Sequence, residues 1–190
     1  MNTSEAKKDE KQYVSSAVYF GLTKDWERKT ELHRGEIVDL ASPTATHNDI
    51  AGGLYTEFKA FIKKNQGKCS VKLLNFDVDL GDDTVVVPDV AVICDRSKIS
   101  DKRCTGAPDL IVEIVSSNRK DDYVKKLFYY EKAGVKEYWI VDPKYKRVTV
   151  YQFGDEEMPN LYDFNQPVPV GIWDDKLTVC INDFIEIYDD

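Results

Sequence analysis

Soft metal ligands are scarce in this chain of 190 residues, which carries four cysteines and two histidines. Cys69, Cys94, Cys104 and Cys180 show no CxxC spacing, and only His33 and His47 could join them, which argues against structural zinc. Nor does their scatter suggest a disulfide framework, because a reducing compartment opposes one and a chain of this length does not need it; they read as small core hydrophobes. No stretch approaches the roughly 18 uninterrupted apolar residues of a membrane helix. The leading segment MNTSEAKKDEKQ lacks the apolar centre of a signal peptide. A cytoplasmic protein with no membrane partner is the expectation. Basic charge is also in deficit: 26 Lys and Arg stand against 34 Asp and Glu, a formal net charge of −8. That balance argues against a protein that coats nucleic acid indiscriminately, since such affinity rests on cations neutralising phosphates. An enzyme can still be acidic overall, with carboxylates reserved for cations and a local basic stripe meeting a backbone. Repeats and low-complexity tracts are absent as well.

What is present is enough apolar residue, 42%, for a real core, and the length suits one domain. We expect a polar, disordered tail over residues 1–12 and one domain over 13–190. ELHRGEIVDLAS reads as two short strands around an Arg34-Gly35 turn. Ile50, Leu54, Phe58 and Phe61 or Ile62 recur at helical spacing and predict an amphipathic helix that ends near Gly67. NFDVDL alternates like a half-buried strand, and GDDT forms a turn. VVVPDVAVICD and APDLIVEIV are apolar at nearly every position, as strands covered on both faces are. Segments 71–80, 85–94 and 108–115 are therefore expected as adjacent strands of one sheet. DDYVKKLFYYEKAG reads as a helix from about 120 to 133 closed by Gly134; EYWIVDP, RVTVYQF and LTVCINDF supply more strands. GDEEMPNLYDFNQPVPVGIWDDK reads as a long loop. The order predicts an α/β fold, a mixed sheet flanked by helices.

Two carboxylates interrupt the apolar runs: Asp89 in VVVPDVAV and Glu113 in PDLIVEIV. A buried ionised carboxylate is costly unless paired, hydrogen-bonded or bound to a cation. Each alone is better read as a structural salt bridge, but two on neighbouring strands could share one ion. Hard cations such as Mg2+ take oxygen ligands and keep several waters, so one or two carboxylates, a backbone carbonyl and a substrate phosphate would form a shell. In the helix that follows, Asp122, Lys126 and Tyr130 fall at four-residue intervals along one flank. Lys126 could there hold a phosphate oxygen or the attacking water, whereas the bland reading is a solvated Asp–Lys pair; Lys125 is its competitor.

The succession LHRGEIVDLASPTATH, FDVDLGDDTVVVPDVAVICD, GAPDLIVEIVS and D-x-x-x-K-L-x-x-Y-x-x-A-G-V-K-E-Y-W-I-V-D-P resembles the "putative restriction endonuclease" (Uma-two) family over roughly residues 30 to 151, GVKEYWIVDP being its most specific piece. That family is assigned to the PD-(D/E)xK nuclease superfamily, whose core is a mixed four-stranded sheet flanked by helices. The resemblance implies Asp89, Glu113 and the Ile114 backbone carbonyl as ligands of Mg2+ or Mn2+, and Lys126 as the catalytic lysine. Val115 stands two residues after Glu113, where the superfamily motif has lysine, so the lysine has migrated to the following helix. Ser-Ser-Asn at 116–118 also departs from the Ser-Pro-Ser common in the family.

Weaker candidates are Glu36, an early acid that could lie near the metal or on a strand surface, and His47 ahead of the first long helix, more often a structural histidine than a functional one. Glu31 has a smaller claim still. Asp109 and Asp142 read as turn-forming residues. The leading expectation is metal-dependent phosphodiester hydrolysis of nucleic acid, DNA by resemblance, by an enzyme that a homodimer would suit. The alternatives are an inactive nuclease-fold module that binds or regulates, and a nuclease for RNA or branched substrates.

Overall fold

The computed structural model describes residues 13–116, 121–154 and 158–186. The expected tail over 1–12, the turn at 117–118 and residue 120 at the expected helix start lie outside them. In chain order the strands are β1 (Thr30–His33), β2 (Glu36–Asp39), β3 (Ser70–Leu73), β4 (Asp77–Gly81), β5 (Thr84–Val86), β6 (Val90–Ile93), β7 (Arg103–Thr105), β8 (Leu110–Ile114), β9 (Glu137–Asp142), β10 (Arg147–Gln152), β11 (Asn160–Asp163), β12 (Val168–Pro169) and β13 (Thr178–Val179). The α-helices are α1 (Ser16–Thr23), α2 (Ala45–Lys64) and α3 (Leu127–Ala133), with a π-helical turn over Asp121–Lys126 leading into α3.

The strands form a six-stranded sheet in the order β11-β10-β9-β8-β6-β3, a five-stranded sheet in the order β2-β1-β5-β4-β7, and the pair β12-β13. Both larger sheets are mixed, because β8 runs parallel to β9 and β4 parallel to β7. The α3 crossover makes the first of these possible, since parallel neighbours need a long connection. The expected mixed α/β fold is therefore present.

Side-chain alternation sorts the centre of the larger sheet into two packed faces. Leu110, Val112 and Ile114 of β8 pack with Ile50, Leu54 and Phe58, which recur every four residues on α2. All three of those α2 side chains are fully buried. Each such side chain stabilises the fold by roughly 1.5–3 kcal/mol. Ile111 and Val115 pack on the other face, with Tyr138 and Ile140 of β9 and Tyr130 of α3. Glu113 has the same parity as Ile111, so it points toward the α3 side. At the other end of α2, Thr44 caps the helix by accepting the His47 amide at 3.2 Å. That cap fixes His47 in the first turn.

The β1–β2 hairpin turns on Arg34 and Gly35, both at positive φ (51° and 87°), as a two-residue turn that matches strand twist requires. A side chain at Gly35 would also collide with the Tyr13 ring.

Several expectations need correction. Segment 71–80 is not one strand: Leu74 and Asn75 take positive φ (29° and 61°), and β3 and β4 part into different sheets. Likewise 85–94 divides at Pro88 into β5 and β6, because proline has no amide hydrogen to give a ladder. Helix α1, capped by Ser15, precedes the point where regular structure was expected to begin. The expected long loop contains β11 and β12, and its residues 155–157 lie outside the described ones. The expected C-terminal strand is a two-residue β13 followed by a 3-10 turn.

The cysteines also differ from expectation. Cys69 and Cys94 form a disulfide, whereas Cys104 and Cys180 are free. The pairing follows from register: Ser70 faces Ile93 across the antiparallel β3–β6 ladder, which brings the next residue outward on each strand together. A covalent link spanning 25 residues should stabilise the fold by about 3 kcal/mol through the entropy it removes from the unfolded chain. Urea denaturation with and without dithiothreitol measures this, and superimposable curves would show that the link contributes nothing.

Glu137 opens β9 and is buried without a basic partner among the described residues. Its Oε1 accepts from Trp139 Nε1 at 2.6 Å and its Oε2 from the Ile172 amide at 2.7 Å. Glu137→Ala strands both donors, so a loss of roughly 1–3 kcal/mol is expected in thermal denaturation. Burial raises the Glu137 carboxyl above its ordinary value, although these hydrogen bonds pull it back. A raised folded-state value means that its stabilising contribution is complete below the ordinary carboxylate range. It declines as pH rises through the raised value. The gap between parent and variant should therefore be wider at pH 4 than at pH 7.

Candidate active site

The site forms where the two larger sheets meet α3. The turn Val87-Pro88-Asp89 carries the chain from β5 in one sheet to β6 in the other, and the site's first carboxylate stands at that corner. Asp89 Oδ2 accepts the Ile114 amide at 2.7 Å and lies 3.0 Å from His47 Nε2. A strand residue's N–H and C=O point to the same side, so the Ile114 carbonyl opens toward Asp89 as well.

Glu113, one residue back along β8, is buried. Its Oε1 accepts from Lys126 Nζ at 3.1 Å and from the Tyr130 hydroxyl. Lys126 Nζ stands equally, at 3.1 Å, from Glu31 Oε1 on β1, and 3.8 Å from Asp122 Oδ1. Glu31 is held in turn by the Val87 amide at 2.8 Å and by His33 Nε2 at 2.8 Å. The ring nitrogens Nδ1 of His33 and His47 are buried without a hydrogen-bond partner among the described residues.

Four carboxylates, Glu31, Asp89, Glu113 and Asp122, thus gather around the single ammonium of Lys126. Burial pushes the Glu113 carboxyl well above its ordinary value; Lys126 pulls it down, and Asp89, Asp122 and Glu31 push it up again. Burial would raise Glu31 too, yet Lys126 and the bonds from His33 and Val87 outweigh it and hold Glu31 at about 2. Burial disfavours a charged Lys126, but the surrounding carboxylates keep it well above its ordinary value. Burial and the adjacent Glu113 raise the Tyr130 hydroxyl, which therefore remains a donor.

A cleft of about 440 Å3 opens onto this cluster, with Asp89, Glu113, Ile114, Asp122, Lys126 and His47 in its walls. All the main sequence candidates converge there. Tyr130 touches Glu113 from behind. Glu36 does not reach the cleft: it is exposed on β2, beside the Arg34-Gly35 turn. The early-chain acid of the cluster is Glu31, the weaker of the two early candidates. The available signal was the pair Glu31 and His33, two apart on one face of a strand. Asp109 serves structure, accepting the Cys94 amide at 2.7 Å and pairing with Lys136 Nζ at 2.7 Å.

Residues 19–170 match the Uma2 family, described as "Putative restriction endonuclease". The chain belongs to the Uma2 family. A crystal structure described as "a putative nuclease belonging to DUF820", from Anabaena variabilis ATCC 29413, superposes on this Uma2 chain with a TM-score of 0.74. The two share 22% identity, and the match covers 90% of this chain and 97% of that one. Protein sll1609 of Synechocystis sp. (strain ATCC 27184 / PCC 6803 / Kazusa) is 27% identical over 149 residues, covering 76% of this chain and 84% of its own length. In this Uma2 chain no helix among the described residues is long and apolar enough to cross a membrane.

The residues suit a hard cation better than a soft one. Among the described residues no three His, Cys, Asp or Glu side chains form a ready cage. Two carboxylates and a main-chain carbonyl facing an open cleft leave the remaining positions to water or phosphate, the arrangement Mg2+ favours.

Proposed function

We propose that this chain is a metal-dependent phosphodiesterase acting on nucleic acid, with DNA as the substrate. The observation that carries this reading is Lys126 Nζ, held 3.1 Å from both Glu31 and Glu113 at the floor of an open acidic cleft. A Mg2+ or Mn2+ ion bound by Asp89, Glu113 and the Ile114 carbonyl would supply Lewis acidity and a water activated for attack. The chain's own residues do the rest. The Ile114 amide and His47 orient Asp89, so that its carboxylate is set before substrate arrives. Glu31 fixes the Lys126 ammonium without hiding it, because Lys126 still lines the cleft. From there it can face the negative charge that builds on a phosphate during in-line displacement. Tyr130 supports the site by donating to Glu113.

The nuclease description of the family and of the Anabaena variabilis structure agrees with this assignment. A cleavage assay on duplex DNA, single-stranded DNA and RNA, with Mg2+ or Mn2+ and with chelator, tests it. Cleavage of DNA that the chelator abolishes is the expected result. Cleavage of RNA alone would move the substrate, metal-independent cleavage would overturn the metal dependence, and no cleavage in any arm would overturn the proposal in favour of a binding module.

A further inference from the structure

The cleft walls carry Arg28 and Lys29 beside the carboxylates, yet a polyanion approaching a chain of net charge −8 needs further attraction from elsewhere on the surface. A second groove, about 520 Å3, lies between α2 and the edge strand β3 and supplies it. Lys59 and Lys63 from α2, Lys72 from β3 and Arg96 line it, and no Asp or Glu does. Among the described residues these four cations have no carboxylate partner. Lys59 donates to the Tyr55 hydroxyl at 3.0 Å, and Arg96 to the Lys68 carbonyl at 2.9 Å. On a chain of net charge −8, such a concentration of unbalanced positive charge is not the average surface.

The groove approaches the cleft along β3. On β3, Lys72 stands two residues before Leu74, whose amide donates to the Asp89 carbonyl at 3.1 Å, and Leu74 and Asn75 line the cleft. On α2, Lys59 and Lys63 sit one turn apart on a shared flank, about 120° and 160° round the helix from His47. A phosphodiester backbone seated at Asp89 and Glu113 can therefore continue over Lys72 toward Lys63 and Arg96.

We infer that this groove is the track for the substrate's phosphate backbone, which positions nucleic acid in the cleft by charge rather than by base sequence. The inference rests on the proposed function in taking nucleic acid as the ligand. Each phosphate neutralised by a lysine contributes about 0.9 to the slope of log affinity against log salt for duplex DNA and about 0.7 for single strands.

The experiment measures anisotropy of fluorescein-labelled duplex and single-stranded DNA, in chelator to prevent cleavage, across a salt series. The parent chain is compared with Lys63→Ala/Lys72→Ala, and with Lys144→Ala/Lys146→Ala in the exposed β9–β10 turn as the control. The groove variant should lose about 1.8 from the duplex slope, or about 1.4 from the single-strand slope, the larger loss naming the form that follows the track. Its melting temperature and its Mn2+ titration should match the parent's. An unchanged slope in a parent that binds DNA would overturn the track and leave the catalytic proposal standing. The expected loss of slope in a protein that cleaves nothing would support the track while the catalytic proposal fails. Binding of no nucleic acid at low salt would overturn both.

Discussion

Lys126→Ala is expected to lower the cleavage rate on the order of 10²–10³-fold while leaving the cation site occupied. The magnitude follows from the loss of one preorganised charge in a sheltered site, where no water reorganises in time to replace it. Metal binding should move the opposite way: removing an ammonium that lies 3.1 Å from Glu113 lets a divalent cation bind at least as tightly. Calorimetric titration with Mn2+ alongside single-turnover kinetics separates the two effects. The variant also leaves Glu31 and Glu113 buried without their shared partner, and breaking a buried pair costs about 3–5 kcal/mol. Rates are accordingly compared well below the variant's melting temperature. Lys125→Ala is the control, because Lys125 is exposed while its neighbour is buried. A Lys125 variant without activity beside an unaffected Lys126 variant would remove Lys126 from the reaction.

The double variant Asp89→Ala, Glu113→Ala should lose Mg2+ and Mn2+ binding in calorimetry and reduce cleavage to background. Neither carboxylate can be replaced by its neighbours. Glu31 is occupied by Val87, His33 and Lys126, and Asp122 stands 3.8 Å from the Lys126 ammonium. Crystals grown with Mg2+ should show Asp89 and Glu113 oxygens at about 2.0–2.1 Å from the ion. Undiminished metal affinity in the double variant would place the cation elsewhere.

Much of this site was legible in the sequence because it rests on periodicity. Glu113 interrupts a buried run, and Lys126 and Tyr130, one turn apart, both reach it. The register of long elements is robust to small errors. What stayed hidden depends on how elements meet. In TELHRGEIVD, the local pattern favours Glu36 over Glu31 until Leu32 is placed opposite Val85, which buries β1 against its neighbour and leaves Glu36 exposed beside the hairpin turn. The Cys69–Cys94 link required the β3–β6 register, which nothing local specifies. Pro88 is a further signal that the sequence itself carries. An apolar run containing a proline is two strands more readily than one, and here the break is what brings Asp89 beside Ile114.

The placement of the lysine on a helix has a kinetic meaning. In the usual motif the acid and the lysine share one strand, so pairing that strand delivers both. Here the carboxylate arrives with β8, whereas the ammonium arrives only when the π-helical turn and α3 dock on the sheet. The two halves of the proposed site therefore come from different elements, and on that proposal catalytic competence would report their docking. An excursion that lifts α3 while the sheet persists would leave a chain still able to take up a cation but without its means of answering the phosphate's charge. Hydrogen exchange at Tyr130 and Glu131, set against exchange at Val112, measures how often the molecule visits that disarmed form.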